Sequence, residues 1–309
     1  MWRSHDLFIS LRGREIALGT RTSLIDIEGM PAALRILAPG ILAMIAFAAN
    51  SVLARFALVD GGSGAWSFTL IRLISGALAL ALLARLRLRN AGSWKGAASL
   101  LIYVAGFSYA YLALGAGFGA LVLFAMVQFT MVGWALRSGE RLSALQWTGL
   151  IAAFAALIWL LSPSLSAPSS GVAILSMTAA GIGWGAYSLI GRSSKAPTRD
   201  TAGNFLRASL IALLLSPLVL ITHPEAIPGE TAIAAALASG VITSGLGYAI
   251  WYSVLPALGR AQAGILQLSV PAIAALGGVL FLSEPLTLRL TLSAAIILVG
   301  VGLATLRRK

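Results

Sequence analysis

Two arginines stand inside long apolar runs, and their chemistry most needs explaining. Arg72 lies in the run Trp66–Ala84, about one and a half helical turns from its start, and Arg207 in the run Asn204–Ile221, about one turn from its start. A guanidinium at that depth in an apolar surround is costly, so it is expected to face a polar interior rather than hydrocarbon. Its fork of donors matches a carboxylate or another oxyanion. The competing role is structural, in which each arginine snorkels to the near end of its run and ties neighbouring helices together. Residue type and depth leave both roles open.

Four amides, Asn50, Gln128, Asn204 and Gln267, also sit inside apolar runs. Such groups serve as hydrogen-bond partners between helices or as the polar lining of a cavity. Trp184 and Tyr187 share one helical face among Gly181, Gly183, Gly185 and Gly191, small residues that permit close helix approach. Tyr248, Trp251 and Tyr252 form another face at i, i+3 and i+4. Aromatics at the ends of apolar runs commonly mark an interface belt, and Tyr187 lies deeper than that. The residues expected to line a solute cavity are therefore Asn50, Arg72, Gln128, Trp184, Tyr187, Arg207, Tyr248 and Gln267.

Catalytic constellations are not evident. The chain has no cysteine, and its two histidines, His5 and His223, lie far apart and outside the apolar runs. There is no phosphate-cradling glycine loop of the Walker type. Each of the ten acidic residues falls in the N-terminal extension, a loop or a helix end. A proton-driven carrier usually keeps a carboxylate or histidine on its pathway, so the sequence predicts no such relay at depth. No cofactor and no metal site are expected.

Composition says what must position these groups. Of 309 residues, 59% are apolar and 10% charged, with a mean hydropathy of +0.92. Soluble domains carry about 25% charged residues, so this chain is read as integral to a lipid bilayer. The net charge of +12 comes from short basic loops rather than a basic face, which excludes a nucleic-acid partner and points to membrane orientation. Ten apolar segments are predicted to cross as helices: Ile36–Leu58, Trp66–Ala84, Ala97–Leu114, Ala120–Leu136, Leu145–Leu161, Val172–Ile190, Asn204–Ile221, Ala232–Leu255, Ala263–Leu282 and Leu290–Leu306. Lysine and arginine concentrate in alternate loops, and Arg289 is the one basic residue of the intervening loops. Both termini are accordingly expected on the cytoplasmic side of a multi-pass inner-membrane protein.

The chain echoes itself. Glu140-Arg141-Leu142-Ser143 returns as Glu284-Pro285-Leu286-Thr287, 144 positions on, each time between two apolar runs. Ser143 and Gln146 form a capping box for the helix that follows, and Leu142 can staple onto Trp147. Asn50-Ser51-Val52-Leu53-Ala54-Arg55 resembles Tyr187-Ser188-Leu189-Ile190-Gly191-Arg192, and Leu70-Ile71-Arg72 resembles Phe205-Leu206-Arg207, 135 positions on. Three anchors in one order imply a duplication. The expected organisation is an extension over 1–32, a first five-helix repeat over 33–162, a Pro/Ser linker over 163–171 and a second five-helix repeat over 172–309. Met30 offers an alternative start within the extension. Five is odd, so the second repeat enters the membrane inverted, as in many secondary transporters. The fold class is all-α and integral to the membrane.

Five-plus-five inverted repeats, an arginine in helices 2 and 7, and the doubled Glu-x-Leu-[Ser/Thr] turn resemble the EamA type of the drug/metabolite transporter superfamily. The resemblance spans Ile36 to Leu306. It implies a ten-helix fold with a central cavity that moves small metabolites such as amino acids or drugs, often outward, with a small-molecule substrate and the bilayer as partners. Pro271 matches the family's helix-breaking proline in helix 9, whereas helix 4 has Val127-Gln128 there and is expected to run unkinked. The turn carboxylates Glu140 and Glu284 are read as residues tied to helix entry, with gating as the alternative. A membrane-embedded enzyme and a membrane assembly subunit are the other function classes. The first lacks acid, base or nucleophile at depth, and the second does not explain mirrored arginines.

Overall fold

The computed structural model describes residues 32–114, 116–162, 170–281 and 286–305. The N-terminal extension up to residue 31, most of the linker, and Glu284 with Pro285 lie outside these. Every regular element among the described residues is helical. Helix α1 (Ala32–Arg55) leads into a π-helical turn over Phe56–Asp60; α2 (Ala65–Leu83), α3 (Trp94–Tyr111), α4 (Ala116–Arg137) and α5 (Ala144–Leu161) follow. After the linker come α6 (Gly171–Arg192) and α7 (Pro197–Thr222). The eighth apolar run is one rod in three parts: α8 (Glu230–Ala238), a π-helical segment (Ser239–Leu246) and α9 (Gly247–Val254). The ninth is split into α10 (Arg260–Gln267) and α11 (Ser269–Phe281), and α12 (Leu288–Thr305) is last. The twelve helices thus fall on the ten predicted runs.

Five helical stretches among the described residues are long and apolar enough to cross a membrane: Ile36–Val59, Ala65–Leu83, Gly171–Arg192, Pro197–Thr222 and Glu230–Ala257. Val122–Arg137, Ala144–Leu160 and Leu288–Ala304 are shorter apolar helices. The bundle is apolar outside as well as inside. Leu82, Val172, Leu214 and Ile221 are at least 70% exposed, while Arg72, Gln267, Ser244 and Asn50 are buried. A perimeter of leucine and isoleucine around an interior with polar groups suits hydrocarbon as the surrounding solvent.

Local sequence explains the boundaries. Ser143 accepts from the backbone N–H of Gln146 at 3.3 Å, and the Gln146 Oε1 accepts from the N–H of Ser143 at 2.9 Å, so the predicted capping box starts α5. Leu142 packs on Val132, Ala135 and Ala261, which pins the α4–α5 turn to α10. The break between α10 and α11 falls at Leu268, three residues before Pro271. Proline has no N–H to give the carbonyl of Gln267, and its ring disfavours a straight helix there. The Ser269 hydroxyl donates to the carbonyl of Leu266 at 2.8 Å and satisfies part of the opened turn. Helix α4 is continuous through Val127-Gln128, as its sequence predicts.

Glycines let the helices cross closely. A Cβ on Gly183 would lie 2.9 Å from the carbonyl oxygen of Ser99 in α3, and one on Gly181 would lie 2.7 Å from that of Leu123 in α4. Helix α6 is thereby held between α3 and α4. Helix α2 packs on α7 and on the π-helical segment, α1 on α9 and α11, α4 on α10, and α5 on α12.

Candidate functional site

The arginine of α2 is the centre of the interior. Arg72 has no exposed surface. Its Nε donates to the Ser244 hydroxyl at 2.9 Å, and its Nη2 donates to the hydroxyls of Tyr248 at 2.9 Å and Tyr103 at 3.2 Å. The guanidinium carbon lies 5.2 Å from the ring centre of Tyr103 and 5.6 Å from that of Phe107. Nη1 has no hydrogen-bond partner among the described residues. All three acceptors are neutral hydroxyls.

The π-helical segment and the first turn of α9 supply two of those partners. Ser244 and Tyr248 are four apart and share a face toward α2. Ser239 and Thr243, also four apart, point at α1 and donate to the Oδ1 of Asn50 at 2.6 and 3.0 Å. An extra residue in a helical turn is a common device at functional sites. The segment presses directly on α2: a Cβ on Gly240 would lie 1.9 Å from the Ser75 hydroxyl and 2.5 Å from the carbonyl oxygen of Arg72.

An aromatic shell surrounds this centre. The ring of Trp184 lies 4.9 Å from Tyr103, 4.7 Å from Tyr248, 6.0 Å from Tyr187 and 5.2 Å from Phe47. Phe205 closes on Tyr248 at 5.7 Å. The indole N–H of Trp184 donates to the Oε1 of Gln267, the last residue of α10 before the break. The Gln267 amide in turn donates to the carbonyl of Ala263 at 3.1 Å and contacts the Met131 sulfur at 3.2 Å. Trp184 therefore couples the broken ninth run to the arginine centre.

Of the eight residues expected to line a cavity, Arg72, Trp184, Tyr187, Tyr248 and Gln267 come together in this cluster. Asn50 holds the far side of the same π-helical segment. Gln128 is one layer away, donating to the carbonyl of Gly264 at 2.5 Å. It also lines an apolar groove of about 460 Å³ between α4 and α5, with Phe129, Val132, Trp147 and Phe154, that lies apart from the arginine centre. Arg207 is elsewhere. Its Nη1 donates to the carbonyls of Ala91 and, at 3.1 Å, Gly203, and its guanidinium stacks 5.5 Å from Trp94. With Asp200 and Asn204, which accept from the N–H groups of Gly92 at 3.0 Å and Ser93 at 2.7 Å, it fastens the α2–α3 loop to α7.

Sequence reasoning missed Tyr103, Phe107, Ser244 and Phe47. Ser244 carried a usable signal, because Ser239, Gly240, Thr243, Ser244 and Gly245 form a small, hydroxyl-rich patch inside an apolar run. Tyr103 carried none beyond its hydroxyl.

Two carboxylates act at helix starts across the bundle. Glu140 accepts from the backbone N–H groups of Arg260 at 3.2 Å and Ala261 at 3.4 Å, with the Arg260 guanidinium 3.8 Å away. The expectation that Glu140 serves helix entry holds for α10 of the second half rather than for α5 beside it in sequence. Glu225, at the opposite end of the bundle, accepts from the N–H groups of Trp66 and Ser67, both at 2.8 Å, and from the Ser67 hydroxyl at 2.8 Å. Carboxylates suit helix N-termini. Among the described residues no cluster of histidine and acidic side chains has the arrangement of a metal site. The corresponding expectation for Glu284 falls outside the described residues.

Comparison with known proteins decides the family. The uncharacterized protein PA1977 of Pseudomonas aeruginosa is 48% identical over 267 residues, covering 85% of this chain and 92% of that protein. Residues 171–306 match the EamA-like transporter family. The chain belongs to the EamA-like transporter family. A solved crystal structure shares the fold at a TM-score of 0.71 and 21% identity, covering 88% of this chain and 97% of that one. This EamA-like chain is therefore a membrane protein of a transporter family, with a helical bundle closed around Arg72.

Proposed function

We propose that the protein is a secondary transporter, an exporter or facilitator, of small organic metabolites across the cytoplasmic membrane, and that solute passes the arginine centre. The observation that carries this reading is the placement of Arg72. It is fully buried and held by groups from α3, the π-helical segment and α9, so it sits where both halves of the chain meet. The alternatives, a membrane-embedded enzyme and an assembly subunit, have no comparable support.

The halves are read as inverted repeats, 33–162 and 172–309. Their packing supports this. Exchange α1 with α6, α2 with α7, α3 with α8 and α9, α4 with α10 and α11, and α5 with α12. The pair α3·α6 then becomes α9·α1, α4·α6 becomes α11·α1, and α2·α7, α4·α10 and α5·α12 map onto themselves; all of these pairs are in contact. Such symmetry lets the two halves exchange roles as a midplane site opens to either side. With ten spans, reporter fusions at Ser166 and Lys309 are expected to report opposite sides of the membrane, Lys309 the cytoplasmic one. Reports from the same side would sink the inverted arrangement.

The direct test is solute flux into proteoliposomes holding the purified full-length chain, screened over amino acids, organic acids, nucleosides and organic amines. At least one class should exchange across the membrane faster than in protein-free vesicles. The described acidic residues, Asp60, Glu140, Asp200, Glu225 and Glu230, all lie at helix ends or in loops. Transport is therefore expected to follow the solute's own gradient. An imposed pH gradient at clamped membrane potential should leave uptake non-concentrative, and accumulation that collapses with the gradient would refute this.

A further inference from the structure

The arginine centre carries a charge that none of the described residues bonded to it balances. Each polar atom bonded to Arg72 belongs to a neutral hydroxyl, and Nη1 is buried with no partner among the described residues. A buried ion without a counter-ion is expensive, and attraction from an opposite charge in low dielectric is correspondingly large. The surround is otherwise aromatic: Phe47, Tyr103, Phe107, Trp184 and Tyr248 stand within ring contact of one another or of the guanidinium. None of the described residues bonded to this centre is an acid that would receive an ammonium group.

We propose that the Arg72 centre selects solutes of net charge −1, an aromatic or apolar body bearing one carboxylate, whose oxygens take the Nη1 edge while the body lies against the Trp184 and Phe47 rings. The proposal rests on the transporter reading and narrows its substrate class. Net charge decides between candidates. A monoanion leaves the closed site neutral. A zwitterion brings its own ammonium and leaves the site at +1 again, and a neutral amide or a cation does no better. The aromatic walls take the apolar body of all four alike; their cation–π attraction for an ammonium is opposed by the Arg72 charge, so the discrimination comes from charge. A carboxylate on a guanidinium forms charge-assisted hydrogen bonds that the amide isostere cannot match.

Four solutes of one shape test this: phenylacetate, phenylacetamide, phenethylamine and phenylalanine, each titrated into the full-length protein in detergent with thermal unfolding as the readout. Phenylacetate should raise the melting temperature at concentrations at least about tenfold lower than any of the other three, the loss of one strong charged interaction. Arg72→Lys should keep the order with weaker stabilisation, and Arg72→Gln should abolish the preference for phenylacetate. If Arg72→Gln does not fold, the order of the four solutes in the wild type and in Arg72→Lys decides: phenylacetate must lead in both. Equal or better stabilisation by the amide, amine or zwitterion overturns the charge selection while leaving the transporter reading intact. Stabilisation by none of the four also overturns it, and the transporter reading falls with it only if the proteoliposome screen is blank as well.

Discussion

Arg72→Met is expected to abolish transport while leaving the melting temperature of the protein unchanged or higher. The two readings of a buried arginine predict opposite outcomes here. If Arg72 is a structural tie, its three hydrogen bonds hold α2 to α3 and to the eighth run, and their loss lowers stability. Net contributions of hydrogen bonds to charged groups run to about 1.5–3 kcal/mol each. Against that stands the cost of keeping a guanidinium in a site where no described residue supplies a counter-ion, several kcal/mol per ion. Methionine is unbranched, fills irregular space and contacts aromatic rings favourably. Even a complete buried ion pair can be replaced by apolar residues of similar volume with a neutral effect or a gain of about 1–4 kcal/mol, and Arg72 carries its desolvation cost without such a partner among the described residues. The two contributions are of similar size, and the balance tips toward the desolvation cost because Nη1 has no partner among the described residues and the acceptors are neutral hydroxyls. A melting temperature that falls by many degrees in Arg72→Met would assign the residue to structure and remove the site from Arg72.

The contrast between Arg72 and Arg207 shows how far the sequence could go. Both arginines lie near the start of matching apolar runs, and the resemblance to the family predicts both in helices 2 and 7. What separates them is their partners, and partners depend on the tertiary fold. Helix α7 starts at Pro197, seven residues before the predicted Asn204. Its first turns contain Thr198, Arg199 and Asp200, too polar to be counted in an apolar run. Once those turns are included, Asp200, Asn204 and Arg207 fall on one face at i, i+4 and i+7, the spacing of a single helix stripe. That stripe binds the backbone of Ala91, Gly92 and Ser93. A hydropathy window discards the polar turns and with them the pattern that explains Arg207.

The helices themselves were legible because apolar length and loop charge are strong signals in a membrane protein. Two features inside them were not. The π-helical segment Ser239–Leu246 has no proline and no charge, so nothing in its periodicity announces an added residue. Its cause is packing, since Gly240 lets the chain sit against the carbonyl of Arg72. The break at Leu268 was readable from Pro271 in kind, but its position follows from the missing N–H one turn earlier. Glu140 reads as a helix-entry residue, but the sequence does not say which helix it serves; the structure puts it at the start of α10. Local capping logic sees the helix next in sequence, whereas the α4–α5 turn lies against the start of α10.

Gly149→Val is expected to lower the melting temperature by roughly 5–10 °C, the effect of about 2–3 kcal/mol in a protein of this size. Helices α5 and α12, the last of each half, cross with their backbones in contact. A Cβ on Gly149 would lie 2.4 Å from the carbonyl oxygen of Gly300, and a Cβ on Gly300 would lie 2.8 Å from the carbonyl oxygen of Gly149. The obstacle in each direction is backbone, so no rotamer change relieves it and the two helices must separate. Without a hydrophobic drive between helices in lipid, close packing of this kind is a main source of their association. Separation of α5 from α12 therefore forfeits dispersion contacts along the whole crossing. Gly133→Ala in α4 is the matched control. A Cβ there meets nothing within 4 Å, so the variant should hold its melting temperature or gain, as glycine is about 1 kcal/mol worse than alanine inside a helix. Thermal unfolding of the two variants in detergent separates the explanations. If Gly149→Val and Gly133→Ala melt alike, the contact between α5 and α12 contributes little, and these two helices do not hold the halves together.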